Sequence, residues 1–183
     1  MRFALPVPLP RTIARFGRAC EGVTAVEFAM VGPIFFALLF AIFETAFTML
    51  SSQLIETATI DASRLILTGQ AQTQKMNKDT FKTAVCNTLP SFIDCSGKVY
   101  VDVQVLDAYD TSVTTPMKEG NLDPSGFKFD AGGPDSIVMV RVYYKWAGLV
   151  ASVTKNFGLD LSNQADGSTL ETATMVFRNE PYQ

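Results

Sequence analysis

Phe28-Ala-Met-Val-Gly-Pro-Ile-Phe-Phe-Ala-Leu-Leu-Phe-Ala-Ile-Phe43 contains no charged residue, and after Glu44 the run from Thr45 to Ile55 is uncharged again. A bilayer core of ~30 Å needs roughly 20 helical residues, which this stretch supplies. A core helix of a soluble protein would carry a polar stripe, and residues 28–43 have none. The segment therefore reads as a membrane-crossing helix. A secretory signal peptide is the rival reading, but its apolar region usually runs about 7–15 residues and ends at a small-x-small site. Here the run is longer and passes through Glu44-Thr-Ala-Phe-Thr-Met-Leu50 without such a site. Gly32-Pro33 reads either as a bend near the cytoplasmic end or as a proline in the helix's first turns.

Charge is distributed unevenly around this segment. Residues 1–22 hold Arg2, Arg11, Arg15 and Arg18 against Glu21, a net +3, so the rest of the chain carries −6 within an overall −3. A basic head before an apolar run places the N-terminal side in the cytoplasm and the remainder beyond the inner membrane. The acidic remainder argues against nucleic acid as a partner, because phosphate binding needs clustered Lys and Arg. At 183 residues the chain holds one small domain and an appendage. Its 48% apolar content excludes whole-chain disorder. There is no histidine, which removes the commonest general base and metal ligand.

Gly22-Val-Thr-Ala-Val-Glu-Phe28 stands at the head of the apolar run. This motif resembles the TadE-like family of minor pilins from tight-adherence (Flp-type) pilus systems. The likeness continues through Ala25–Ala29, Pro33, Phe43-Glu44, Ala58-Thr-Ile-Asp-Ala-Ser-Arg64 and Thr68-Gly-Gln-Ala71. It extends more loosely to Gly132-Gly-Pro-Asp135 and Phe177-Arg-Asn-Glu-Pro181. The resemblance implies that a prepilin peptidase cuts between Gly22 and Val23, making Glu27 the fifth residue of the mature chain. It implies the membrane, that peptidase and other pilin and pilus-assembly subunits as partners, and no cofactor. It leaves open whether the chain enters the filament, caps its tip or stays in the membrane.

The two carboxylates have physical readings of their own. An unpaired Glu27 near the membrane boundary is costly, by ~2.5 kcal/mol or more at the bilayer centre and less at its edge. A new amine at Val23, one turn away, would offset it within the chain or between neighbours. The competing reading is a simple preference of the helix start for negative charge. Glu44 lies 16 residues after Phe28, ~24 Å along a helix at ~1.5 Å per residue. It either snorkels to the headgroups or pairs with a partner subunit.

Three segments are expected: a basic leader 1–22, a transmembrane and spine helix 23–72, and a periplasmic α+β domain 73–183. Leu54, Ala58, Ala62, Leu65, Ile66 and Gly69 form the spine's packing side, with Asp61 and Arg64 an i,i+3 ion pair. Asn77 starts a second helix that ends before Pro90. Alternating residues predict strands at 99–105, 138–145 and Thr169–Arg178, with a short helix from Trp146 to Phe157. A three-stranded antiparallel sheet covered by helices follows. Cys86 and Cys95 meet the oxidising compartment and are expected to form a disulfide, while Cys20 stays reduced behind the membrane. Two thiols without histidine lack two of the ligands a zinc site needs. The Gly- and Pro-rich stretch 107–135 reads as a solvated loop, and its acidic residues lack the EF-hand spacing. No catalytic triad, phosphate loop or metal cluster is present, and a hydrolase would need Asp102 and Asp135 to converge. The expected function is a minor pilin-like (pseudopilin) subunit. The alternative is a single-pass inner-membrane protein with a periplasmic binding or sensor domain, whose N-terminus would remain uncut.

Overall fold

The computed structural model describes residues 22–109, 114–148 and 162–182. The basic leader with Cys20, and most of the helix expected after Trp146, lie outside the described residues. The chain divides into two compact units, Met1–Phe40 and Ala41–Gln183. In the first, helix α1 (Val23–Leu67) begins one residue after Gly22 and contains Pro33. Pro33 is therefore well inside the helix rather than in its first turn. Val23, Val26, Phe28, Met30, Val31, Ile34 and Phe35 are all exposed. This part of the helix is apolar around its circumference.

The second unit is an α+β domain built on the rest of α1. Its sheet has the order β1 (Val99–Leu106), β4 (Ile137–Trp146), β5 (Thr169–Arg178), antiparallel throughout. Alternation puts Val99, Val101 and Val103 of β1 on the same face as Val138, Val140 and Val142 of β4. All six valines are fully buried, each contributing on the order of 1.5–3 kcal/mol. Against them pack Ile55, Ala58, Ala62 and Ile66 of α1, together with Phe81 and Val85 of α3 (Lys78–Asn87). Asn77 caps α3: its side chain accepts from the Asp79 and Thr80 amides, and Thr80 Oγ1 accepts from the Asn77 amide at 2.8 Å.

The sheet's other face is covered too, by the stretch expected to be solvated. Met117–Lys118 (β2) and Asn121–Leu122 (β3) form a hairpin whose turn residues Glu119 and Gly120 both have positive φ. After a short 3-10 turn, Phe129 bridges Val103 of β1, with Lys128 and Asp130 bonded to the Val103 backbone. Phe127 stacks on Tyr143 with ring centroids 5.1 Å apart. The stretch is thus a strap over the outer face, and this is why Asp102, expected on a solvated strand face, is fully buried.

Other departures are local. The helix α1 ends at Leu67 rather than 72, because Gly69 turns left-handed at φ 76, and a separate short helix α2 (Gln70–Thr73) follows. A Cβ on Gly69 would meet the Tyr182 ring at 2.4 Å. Asp61 and Arg64 are exposed and no ion pair joins them. Trp146 is the last residue of β4, not the start of a helix. The Cys86–Cys95 disulfide does form, joining the end of α3 to α4 (Cys95–Lys98) with Cα atoms 5.8 Å apart.

Replacing both Cys86 and Cys95 with serine should leave the fold intact and lower its unfolding free energy by ~2–3 kcal/mol, the loop-closure entropy of so short a crosslink. Denaturant titration of the oxidised protein against the double variant measures it. An unchanged midpoint, or free thiols at both positions in a non-reducing peptide map of envelope protein, would contradict it.

Candidate functional site

The positions marked by the motif lie at the start of α1. Gly22 precedes the helix, and a Cβ there would meet nothing within 4 Å. Val23 is the first helical residue and Glu27 is exposed four residues later. No acidic residue occupies the first turn. Glu27 is beyond the part of the helix where the macrodipole favours negative charge, since that effect falls off within the first turn. Residues four apart share a helix face, so Glu27 and the backbone nitrogen end of Val23 are on one side.

Within the second unit, α1 is fixed to the sheet by two carboxyl groups. Glu44 is 4% exposed and accepts a hydrogen bond from the Trp146 indole N–H at 3.0 Å. Two turns on, Ser51 is fully buried with its Oγ 2.5 Å from Glu171 Oε1 and 2.9 Å from the Thr48 carbonyl. Ser51 has one hydroxyl proton and two acceptor-type neighbours. Both bonds form together only if Glu171 carries a proton, donates it to Ser51, and Ser51 donates to Thr48. Glu171 Oε2 is buried without a partner, a further cost to the ionised form. Tyr144 faces Glu171 across the strand pair and offers no cation. Burial accordingly pushes the Glu171 carboxyl up to about 7, against the opposing pull of the Ser51 bond.

Residues 22–64 match the family model described as TadE-like protein. The segment is TadE-like. The match opens on Gly22 and takes in Val23, Glu27, Glu44 and Ser51. No curated protein and no solved structure matches the chain. The TadE-like segment includes the one described helix that is long and apolar enough to cross a membrane. Glu44, expected at a headgroup or partner, has its carboxylate on Trp146 of its own domain.

Elsewhere, Asp102 and Asp135 have structural partners. Asp102 accepts from Arg141 at 2.7 Å with both groups buried, and Asp135 lies 3.4 Å from the exposed Arg178. The two do not form a joint carboxylate site. Among the described residues no cluster of three or more His, Cys, Asp or Glu side chains is placed to hold a metal. The helix-to-sheet roles of Ser51, Trp146 and Glu171 were not read from the sequence. Glu171 was within reach, because period-two counting puts it on the same face as Ala173, Met175 and Phe177.

The protonated Glu171 gives the domain a pH signature. Its folded pKa of about 7 lies above the ordinary value of 4.5, so the folded chain holds the proton more tightly. Stability is fully present below ~4.5 and falls as pH rises through ~7, by at most ~3 kcal/mol. Asp166, held down at about 2 by Lys145 and Ser168, acts only below ~4 and does not enter this window. Melting temperatures between pH 5 and pH 8 should therefore decrease for the native chain. Glu171→Gln should flatten that slope and raise stability at pH 8, and a slope unaltered by the substitution would refute the assignment.

Proposed function

We propose that the chain is a minor pilin-like (pseudopilin) subunit needed to assemble a tight-adherence type IV pilus, matured by a prepilin peptidase that cuts between Gly22 and Val23. The carrying observation is a coincidence of boundaries: the TadE-like match opens on Gly22 and helix α1 opens on Val23. A cut there removes the arginine-rich leader and leaves a free amine at the helix's first residue. It leaves Val23–Phe43, about 20 residues and long enough to span a bilayer core, ahead of Glu44.

In this reading the leader faces the cytoplasm of a bacterium, α1 crosses the inner membrane and the α+β domain is periplasmic. The positive-inside rule supports the orientation, and the Cys86–Cys95 disulfide suits an oxidising compartment. Glu27 is the assembly carboxylate. Its desolvation is offset by the amine of Val23, within the chain or on a neighbour, so association supplies both attraction and register.

Intact-mass measurement of the membrane form, from cells with an active peptidase, should give a chain beginning at Val23. Gly22→Ala should accumulate precursor. A chain that keeps residues 1–22 would point instead to the plain single-pass anchor.

Glu27→Gln keeps the side chain's shape and removes its charge. It should still insert and be cut, yet co-purify several-fold less with pilin partners, with Glu27→Asp intermediate. Normal pilus number and normal co-purification for Glu27→Gln would rule out the assembly role of the residue.

A further inference from the structure

The two edges of the sheet are treated differently. Val103 on the outer side of β1 is paired with residues 128–130 of the strap. β5 is the other terminal strand and runs ten residues in unbroken register with β4. The Asn163 side chain accepts from the Leu170 amide at 2.6 Å and donates to the Leu170 carbonyl at 3.0 Å. Both backbone groups of Leu170 therefore point away from β4. In an antiparallel ladder this alternates with period two, so the N–H and C=O groups of Thr172, Thr174 and Val176 also point outward. Thr172 and Thr174 are exposed, and no described segment pairs with them.

Edge strands are normally blunted by lysine, proline, a bulge or a covering segment. The stretch Leu170–Phe177 has no lysine, proline or glycine, and its pairing to β4 contains no bulge. Alongside it lies a cleft of about 180 Å³, floored by Thr172, Ala173, Thr174 and Met175 and walled by Ser52 and Glu56 of α1. A row of alternating donors and acceptors is complementary only to extended backbone. The wall adds one acidic group and one hydroxyl.

We propose that the β5 edge is a strand-addition site for an extended segment of a different subunit, with small or β-branched residues against Thr172 and Thr174 and a basic or hydroxyl side chain facing Glu56. A second copy of this chain fits less well. α1 runs in the same sense as β5, from Ser51 beside Glu171 to the Leu67 carbonyl bonded to Glu180. Antiparallel β5–β5 pairing would point the two anchoring helices in opposite directions. The proposal rests on the reading of the chain as an assembly subunit and names the surface and partner chemistry.

The test uses full-length protein in cells carrying the complete assembly system. Thr174→Pro removes one outward N–H, a position where an edge strand tolerates proline, and Thr174→Val keeps it. Thr174→Pro should abolish or cut several-fold the co-purification of pilin subunits, while Thr174→Val behaves as the native chain. A photo-crosslinkable phenylalanine analogue at Thr172 should give an adduct with a different subunit, mapped to an extended segment. Melting temperature separates a misfolded proline variant from a blocked edge, and the crosslink does not depend on that variant. Normal assembly by folded Thr174→Pro, absence of the adduct, or an adduct to a second copy of this chain would overturn the edge proposal. If Glu27→Gln still fails to assemble in those cases, the assembly reading survives without it.

Discussion

The hydrogen bond from the Trp146 indole to Glu44 marks the place where one helix changes its surroundings. A carboxyl group is expensive to bury unless a hydrogen-bond donor meets it. From Phe28 to Phe43, just before Glu44, the helix carries no charged side chain. After it, the helix becomes one-sided: Ser51, Ile55, Ala58, Thr59, Ala62, Ser63 and Ile66 are buried, whereas Ser52, Gln53, Glu56 and Asp61 are exposed. Small and hydroxyl residues dominate the buried stripe, which brings the helix close to the sheet. Thr59 returns its hydroxyl to the Ile55 carbonyl, so the stripe does not leave that polar group unpaired. Glu171 and Ser51 then fix the register two turns beyond Glu44.

Covering the second face of the sheet places demands on the strap. Asp102 and Arg141 are directly opposite in the β1–β4 register and both are buried. A buried ion pair stabilises little unless its remaining hydrogen-bonding groups are met. Here Asp102 also accepts from the Lys128 amide at 3.0 Å and from Gln104, and Arg141 donates to the Thr114 carbonyl at 3.2 Å. Two of those partners belong to the strap, so the pair and the strap depend on each other. Arg141 also lies over the Tyr143 ring, which stacks on Phe127. The outer face is specified by polar geometry, the inner one by valine burial.

These two kinds of specification explain what could be read in advance. Period-two alternation located all three strands, and Thr169–Arg178 agrees residue for residue, because a β-strand's two faces are written locally. The capping residue Asn77 and the proline after α3 fixed that helix for the same reason. The strap was unreadable. Its Gly, Pro and Asp content is that of a solvated loop, and its order comes from partners far along the chain, such as Phe129 on Phe81 and Lys128 on Asp102. Glu44 was half legible: its burial cost was evident, but the donor lies 102 residues away. Gly69 had been counted among the packing residues of a continuous spine. The packing of Tyr182 against it, which also excludes a side chain there, comes from the C-terminal tail and leaves no local sign.

The domain closes its backbone edges at chosen points. The strap pairs β1, Asn163 mimics a strand at Leu170, and the tail after Arg178 bonds to Ser136 and to the end of α1. Among the described residues, nothing pairs with the outward backbone groups from Thr172 to Val176. Apolar contact along a helix is non-directional and tolerates sliding, since one methyl-lined groove resembles the next. A strand ladder admits only registers that differ by two residues, and a one-residue slip turns every side chain to the wrong face. An assembly built on α1 alone would be indexed only by the Glu27 contact at its start, and one built on a short edge alone would be indexed but weak. In the proposed assembly the apolar surface would supply attraction, while the Glu27 contact and the ladder would supply position.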